Sequence, residues 1–168
     1  SQGAHFINME IPGILAEVGA RFPLKIVHQT GEADFEAVRE LYGKLNLRAD
    51  VEKFIYNMAD CYKDSCLAIC RAGAATIGEL GTAGLPAFFI PFPHATDNHQ
   101  FFNAKELAGM GAAFLMEQKD FDRAKAVSWI AEYLGDGELP VRMAGRMREF
   151  GEARGDMGAI LKEVLSDV

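Results

Sequence analysis

The chain has 168 residues, a single-domain length, with 49% hydrophobic and 24% charged residues, the balance of an ordinary globular protein. Its net charge of −7, with 17 basic residues outnumbered by 24 acidic ones and dispersed, argues against a nucleic-acid polyphosphate as partner. A single nucleotide is not excluded, because backbone amides can hold a phosphate without net positive charge.

Apolar runs alternate with helical periodicities, the pattern of βα units on a parallel sheet. Ile7, Ile11, Ile14, Leu15 and Val18 share one helical face, which Pro12 is expected to interrupt or delay. LKIVHQ at 24–29 predicts a strand, and 35–45 a helix with Asp34 as its N-cap. A short strand at 51–55 and a short helix at 58–63 follow. LAIC at 67–70 and AFFI at 87–90 are continuous apolar runs, as in strands covered on both faces. A helix is expected over about 100–110, and an edge strand over 112–116. The remainder is helical, with Val127, Ile130, Ala131 and Leu134 on one stripe. Met157, Ile160, Leu161, Val164, Leu165 and Val168 form another. There is no internal repeat or linker. One open, doubly wound, Rossmann-like parallel sheet over 1–168 accounts for the whole pattern. No apolar run reaches the ~20 residues that span a bilayer. Ser1 opens without an initiator Met or leader-like segment, so the expected reading is a fragment whose start lies upstream.

Cys61, Cys66 and Cys70 are an odd set without a paired short-spacing motif. They fit a reduced compartment with buried or inert thiols, and the four His supply no zinc-ligand spacing.

In doubly wound sheets ligands sit at the carboxyl ends of strands. The segment RAGAATIGE at 71–79 follows LAIC directly. Its small residues admit a ligand to the backbone, and a helix starting near Ala75 would aim free amides and a positive dipole end at a phosphate. Glu79, one turn on and on the face of Thr76, can accept from vicinal hydroxyls such as a ribose's. A tight strand-to-helix turn explains the same residues without a ligand. SQGA at 1–4 reads as a second phosphate or ribose loop, though alone it says little. PFPHATDNHQFFN at 91–103 is a polar loop at the ligand edge, suited to a sugar, in which Asp97 or Asn98 can equally cap the next helix and His94 or His99 can be solvated. No G-x-S-x-G elbow, P-loop lysine or G-x-G-x-x-G fingerprint is present.

Taken in order, SQGA, HQTG at 28–31, VEKFIYNMADCY at 51–62, CRAGAATIGEL at 70–80, GLPAFFIPFPHATDNHQFFNA at 84–104 and GAAFLMEQ at 111–118 resemble the donor-binding C-terminal domain of the MurG family, glycosyltransferase family 28 of the GT-B fold. The likeness runs from Ser1 to the final helix. It implies transfer of N-acetylglucosamine from UDP-N-acetylglucosamine to a lipid-linked muramyl-pentapeptide in peptidoglycan synthesis, and with it cell-wall, cell-shape and cell-division roles. The enzyme is then a hexosyltransferase, cytoplasmic and peripheral on the inner face of the inner membrane. No cofactor, metal or nucleic acid is implied. Carried over by position, the Ile55 backbone would read the uracil edge. Ala74, Ala75, Thr76, Ile77 and Gly78 would cradle the diphosphate, and Glu79 would bind the ribose. Gln100 and Asn103 would touch the hexose, and Ser1 the nucleotide.

Three features depart from the family pattern. The two glycines that precede the loop Ser are absent, and Gly78 replaces a small polar residue. The acceptor domain, with its catalytic His and its membrane contact, is missing, so no catalytic residue is expected in this chain and the fragment alone is expected to be inactive. The alternatives are the donor subunit of a split GT-B transferase, another UDP-sugar-binding GT-B enzyme, or a nucleotide-sensing module. A receiver-type module would need acidic residues clustered at the first strand end and a later Lys, a set that is missing here.

Overall fold

The computed structural model describes residues 4–166, with side chains described as far as 155. The chain forms two compact units: one runs through Cys61 and takes up Asp120–Gly137, the other comprises Tyr62–Lys119 and the chain from Glu138 onward.

In the first unit, α1 (His5–Gly19) packs on α2 (Phe35–Lys44) and α6 (Arg123–Gly135). The expected α1 stripe is buried at Ile7, Ile11, Ile14 and Val18. Pro12 does not interrupt the helix. The missing amide and ring clash cost about 3 kcal/mol, which burial of apolar side chains on both sides of the proline offsets. The α6 stripe holds at Ile130 and Ala131, and Tyr133 is buried beside them. Strands β1 (Val27–Gln29) and β2 (Asp50–Glu52) pair in parallel, His28 opposite Val51. The pairing continues as Thr30 and Gly31 donate their amides to the carbonyls of Glu52 and Lys53 at 2.9 and 3.1 Å. Both strands are shorter than the sequence suggests, because their polar residues His28, Gln29, Asp50 and Glu52 suit a half-solvated ribbon.

Asp34 stands at the α2 N-cap position without capping it. Its carboxylate instead accepts from Asn8 Nδ2 at 2.7 Å and meets His5 Nδ1 at 2.9 Å.

The chain passes into the second unit within α3 (Met58–Lys63), where the sequence placed a helix. Strands β3 (Ala68–Cys70), β4 (Ala87–Phe89) and β5 (Ala113–Leu115) form a parallel sheet in that order, with β5 at the edge as expected. Only β4 is fully buried; β3 is half-buried along its length. Helices α4 (Ala74–Ala83), α5 (His99–Gly109) and α7 (Leu139–Ser166) complete the unit. Leu80, Phe89, Leu107, Met147 and Phe150 lie at the centre of its core. The parallel α/β pattern read from the sequence holds, drawn as a polar, half-exposed two-stranded ladder and an apolar three-stranded sheet that is fully buried at β4.

Two contacts fix α4. Gly84 ends it in the left-handed region at φ 63°, and the Leu85 amide reaches back to Leu80 O at 3.0 Å. A side chain there would also strike Arg148. One turn earlier, Gly81 and Gly151 bring α4 and α7 together backbone to backbone, so that a Cβ on Gly151 would fall on the Gly81 carbonyl. The apolar stripe expected from Met157 onward lies outside the described side chains. No helix among the described residues is long and apolar enough to cross a membrane.

Candidate functional site

The β3–α4 turn is built as the sequence suggests, with the helix beginning at Ala74. Gly73 is its N-cap in an extended conformation, φ −67° and ψ 147°, with no side-chain cap, and its carbonyl accepts from Ile77 N–H at 3.0 Å. The amides of Ala74, Ala75 and Thr76 therefore have no acceptor within the helix. No acidic side chain stands in that first turn, and Ala74 and Ala75 are exposed. An uncapped positive helix end over small residues suits an anion. Ile77 points into the core, so it can offer a ligand only its backbone. Gly78 has open space around the position of a Cβ, so packing does not demand a glycine there.

Glu79 is exposed in the second turn of α4, where Tyr62 O–H donates to its Oε2 at 2.9 Å. That bond orients the carboxylate and leaves acceptor capacity for a diol. Tyr62 escaped the sequence reading, although it closes the VEKFIYNMADCY block.

Arg71 is the second residue the sequence did not single out. Its Nη1 donates to the carbonyls of Ile90 and Pro91 at 2.8 and 2.9 Å, and Nη2 to Gln118 Oε1 at 2.8 Å. Its guanidinium carbon lies 5.5 Å from the centre of the Phe92 ring. Half-burial lowers its pKa to about 10, which keeps it charged at neutral pH. It ties the start of the β3–α4 turn to the chain leaving β4.

Gln100 and Asn103, both on α5, face that turn and the β4–α5 loop. Gln100 Oε1 accepts from Phe92 N–H at 3.0 Å, leaving its NH2 group for a ligand. Asn103 Nδ2 donates to Ala72 O at 3.3 Å, which joins α5 to the turn before α4. The structure thus brings Ala74–Glu79, Gln100 and Asn103 into one unit, with Asn103 as the link. A cavity of about 150 Å³ opens beside the loop, lined by Pro91, Phe92, Asn98, Phe101 and Gln118 among others. Asp97 and Asn98 are consecutive left-handed residues, φ 51° and 56°, and neither side chain caps α5. His94 and His99 are exposed, as solvation would have it.

Ile55 belongs to the first unit. It is half-buried, and its amide donates to Gln29 Oε1 at 2.8 Å. Phe54 and Tyr56, on either side, are 58% and 95% exposed. Ser1 lies outside the described residues.

The first unit also holds a polar network that no expectation covered. Asn8 is 1% exposed and donates to Thr30 O at 2.9 Å as well as to Asp34. Its Oδ1 is 3.0 Å from His28 Nε2, and His28 Nδ1 is 3.0 Å from Tyr42 O–H. Because Asn8 uses its NH2 on the other two partners, His28 carries its proton on Nε2 and accepts from Tyr42. Burial lowers the His28 pKa to about 4 and raises that of Tyr42 above the ordinary phenol range. Burial would raise the Asp34 carboxyl, but hydrogen bonds from Asn8 and His5 bring it below its usual value.

The three cysteines are thiols; Cys66 is exposed, while burial pushes Cys70 up to about 12. Among the described residues no group of three His, Cys, Asp or Glu could hold a metal.

Residues 1–153 match the model of the glycosyltransferase family 28 C-terminal domain. The chain is 36% identical over 152 residues to a Coxiella burnetii protein named UDP-N-acetylglucosamine--N-acetylmuramyl-(pentapeptide) pyrophosphoryl-undecaprenol N-acetylglucosamine transferase, covering 90% of this chain and 42% of that protein. It is 49% identical over 122 residues to the Methylococcus capsulatus protein of the same name, covering 73% and 34%. The crystal structure of Acinetobacter baumannii MurG superposes with a TM-score of 0.79 at 38% identity, covering 88% of this chain and 42% of that one. The chain thus spans less than half the length of these relatives.

Proposed function

This chain belongs to the glycosyltransferase family 28 C-terminal domain family, and we propose that it holds UDP-N-acetylglucosamine as the donor half of a transferase. The acceptor is a lipid-linked muramyl-pentapeptide, as the relatives' names state for those proteins. The observation that carries this reading is the uncapped N-terminus of α4, with Glu79 oriented by Tyr62 one turn further along. The diphosphate lies over the amides of Ala74, Ala75 and Thr76, with the Ile77 and Gly78 backbone behind them, and Glu79 accepts from the ribose hydroxyls. The Gln100 NH2 reaches the hexose, with Asn103 holding the turn beside it. Ile55 takes the uracil edge through its backbone, and Ser1 adds a nucleotide contact. Helix-end amides do the work a metal would do, so binding needs no metal.

The acceptor site, the base that activates the acceptor hydroxyl and the membrane contact belong to a partner domain. The whole enzyme on this reading is cytoplasmic and peripheral to the inner membrane.

Calorimetric titration with chelator present tests the reading. UDP-N-acetylglucosamine and UDP should both bind. Gln100→Ala should weaken the sugar nucleotide while leaving UDP nearly unchanged, and should narrow the preference over the C4 epimer, because a site built on hydrogen bonds discriminates through them. Equal losses for UDP and the UDP-sugar would remove Gln100 from the hexose pocket. Absence of binding by either ligand would end the donor reading.

A further inference from the structure

The β1–β2 ladder runs past its strand ends through Thr30 and Gly31, whose amides take the carbonyls of Glu52 and Lys53. Beyond Lys53 the ladder stops, and the next hydrogen bond is of a different kind. The Ile55 amide donates at 2.8 Å to the side-chain carbonyl of Gln29, the last residue of β1. The backbone group assigned above to the uracil edge is therefore already occupied, by an exposed side chain.

The chemistry of the occupant is specific. A carboxamide presents a carbonyl acceptor next to an N–H donor in one plane. The imide edge of uracil presents the same pair, O4 beside N3–H. Gln29 and the base thus offer Ile55 interchangeable partners. The surroundings are open as well, with Phe54 and Tyr56 exposed on either side and their rings 5.2 Å apart.

We propose that the Gln29 carboxamide is a resident stand-in for uracil: it holds the Ile55 amide in the empty domain and is exchanged for the base when a uridine nucleotide binds. This rests on the reading of Ile55 as the uracil contact. The exchange keeps the amide hydrogen-bonded in both states, avoiding the cost of an unsatisfied donor. Each uridine nucleotide must then compete with a tethered group already in place, and each departing UDP has a replacement at hand.

The proposal predicts a sign. If Gln29 competes with the base, its removal tightens UDP. If it is only a strut for the 53–57 loop, its removal loosens UDP. Calorimetry of UDP against this chain and Gln29→Ala reads that sign, and thermal melts confirm that the exposed substitution leaves the fold intact. Gln29→Ala should bind UDP about fivefold more tightly, the worth of one net hydrogen bond. Gln29→Glu should bind it more weakly, because a carboxylate holds the same amide through a charge-assisted bond and repels the ligand. In protein labelled with 15N-isoleucine, UDP should shift the Ile55 amide resonance, identified by its loss in Ile55→Val. Unchanged or weaker UDP binding by Gln29→Ala, with the Ile55 resonance still shifting, overturns the stand-in and leaves the uracil reading intact. An Ile55 resonance unmoved at saturating UDP overturns the uracil reading, and the stand-in with it.

Discussion

Glu79 is held by Tyr62, a partner 17 positions away in sequence, and the proposal makes the carboxylate so oriented the acceptor of the ribose hydroxyls. Hydrogen bonds from ribose hydroxyls to a carboxylate are charge-assisted and worth about 1.5–3 kcal/mol. Glu79→Ala should therefore weaken UDP and UDP-N-acetylglucosamine alike, and 2′-deoxy-UDP should already bind the unsubstituted chain poorly. Calorimetry in which the deoxy analogue matches UDP would reduce Glu79 to a favourable charge on α4. His28 makes a second prediction at this scale. Burial lowers its pKa from 6.5 to about 4, so between those values the unfolded chain binds the extra proton. His28 thus contributes stability that is full above pH 6.5 and is lost as pH falls toward 4, on the order of 3 kcal/mol. Urea unfolding of the wild type across pH 4–7 should show this slope, and His28→Gln should flatten it. An unaltered slope would show that the network stays intact around a charged imidazole. Glu79, Gln100 and Asn103 were legible as candidates because each lies in a continuous motif. Tyr62 and Arg71 were not singled out, because their roles depend on partners that only the folded chain brings near: Glu79 in one case, Ile90, Pro91 and Gln118 in the other.

Several elements were legible in the local sequence. The apolar runs at 67–70 and 87–90 and the helix at 58–63 stand nearly where the pattern placed them. Competition between principles explains the misses. Pro12 lost to the burial of α1, and Asp34 found a better donor in buried Asn8 than in the first turn of α2. β2 does not reach Ile55, because the Ile55 amide bonds the Gln29 side chain and not a backbone carbonyl of β1. The α4–α7 crossing was invisible in sequence, since neither Gly81 nor Gly151 belongs to a motif. Gly151→Ala places a methyl on the Gly81 carbonyl, and forcing such backbones apart should cost about 1–3 kcal/mol. Gly145→Ala, with open space at its Cβ, is the control and should hold or raise the urea midpoint through helix propensity. Equal midpoints for the two variants would mean that the helices separate without penalty.

At the scale of the molecule, the chain spans 42% of the Coxiella relative, and the proposal gives it donor binding without transfer. Transfer requires an acceptor and a base within hydrogen-bond reach of the anomeric carbon's partner. Incubation with UDP-N-acetylglucosamine and the lipid-linked acceptor should therefore yield no product, while donor at a hundred times its Kd should stabilise the fold by about 2.7 kcal/mol. Product from this chain alone would show that the catalytic machinery lies within it. The fold class was legible from alternating runs, but the division into a polar two-stranded ladder and an apolar three-stranded sheet was not, because periodicity reports burial and not strand partners. The glycine crossing bears on motion as well as on stability. Where backbones touch there is no layer of side chains to slide, so α4 and α7 move together or not at all. On the proposed reading, accommodation of a hexose falls to the segment around Asp97 and Asn98, whose backbones are left-handed at φ 51° and 56°. Amide exchange should show it: the body of α4 slow with or without donor, and 92–98 slowing only once the donor is bound.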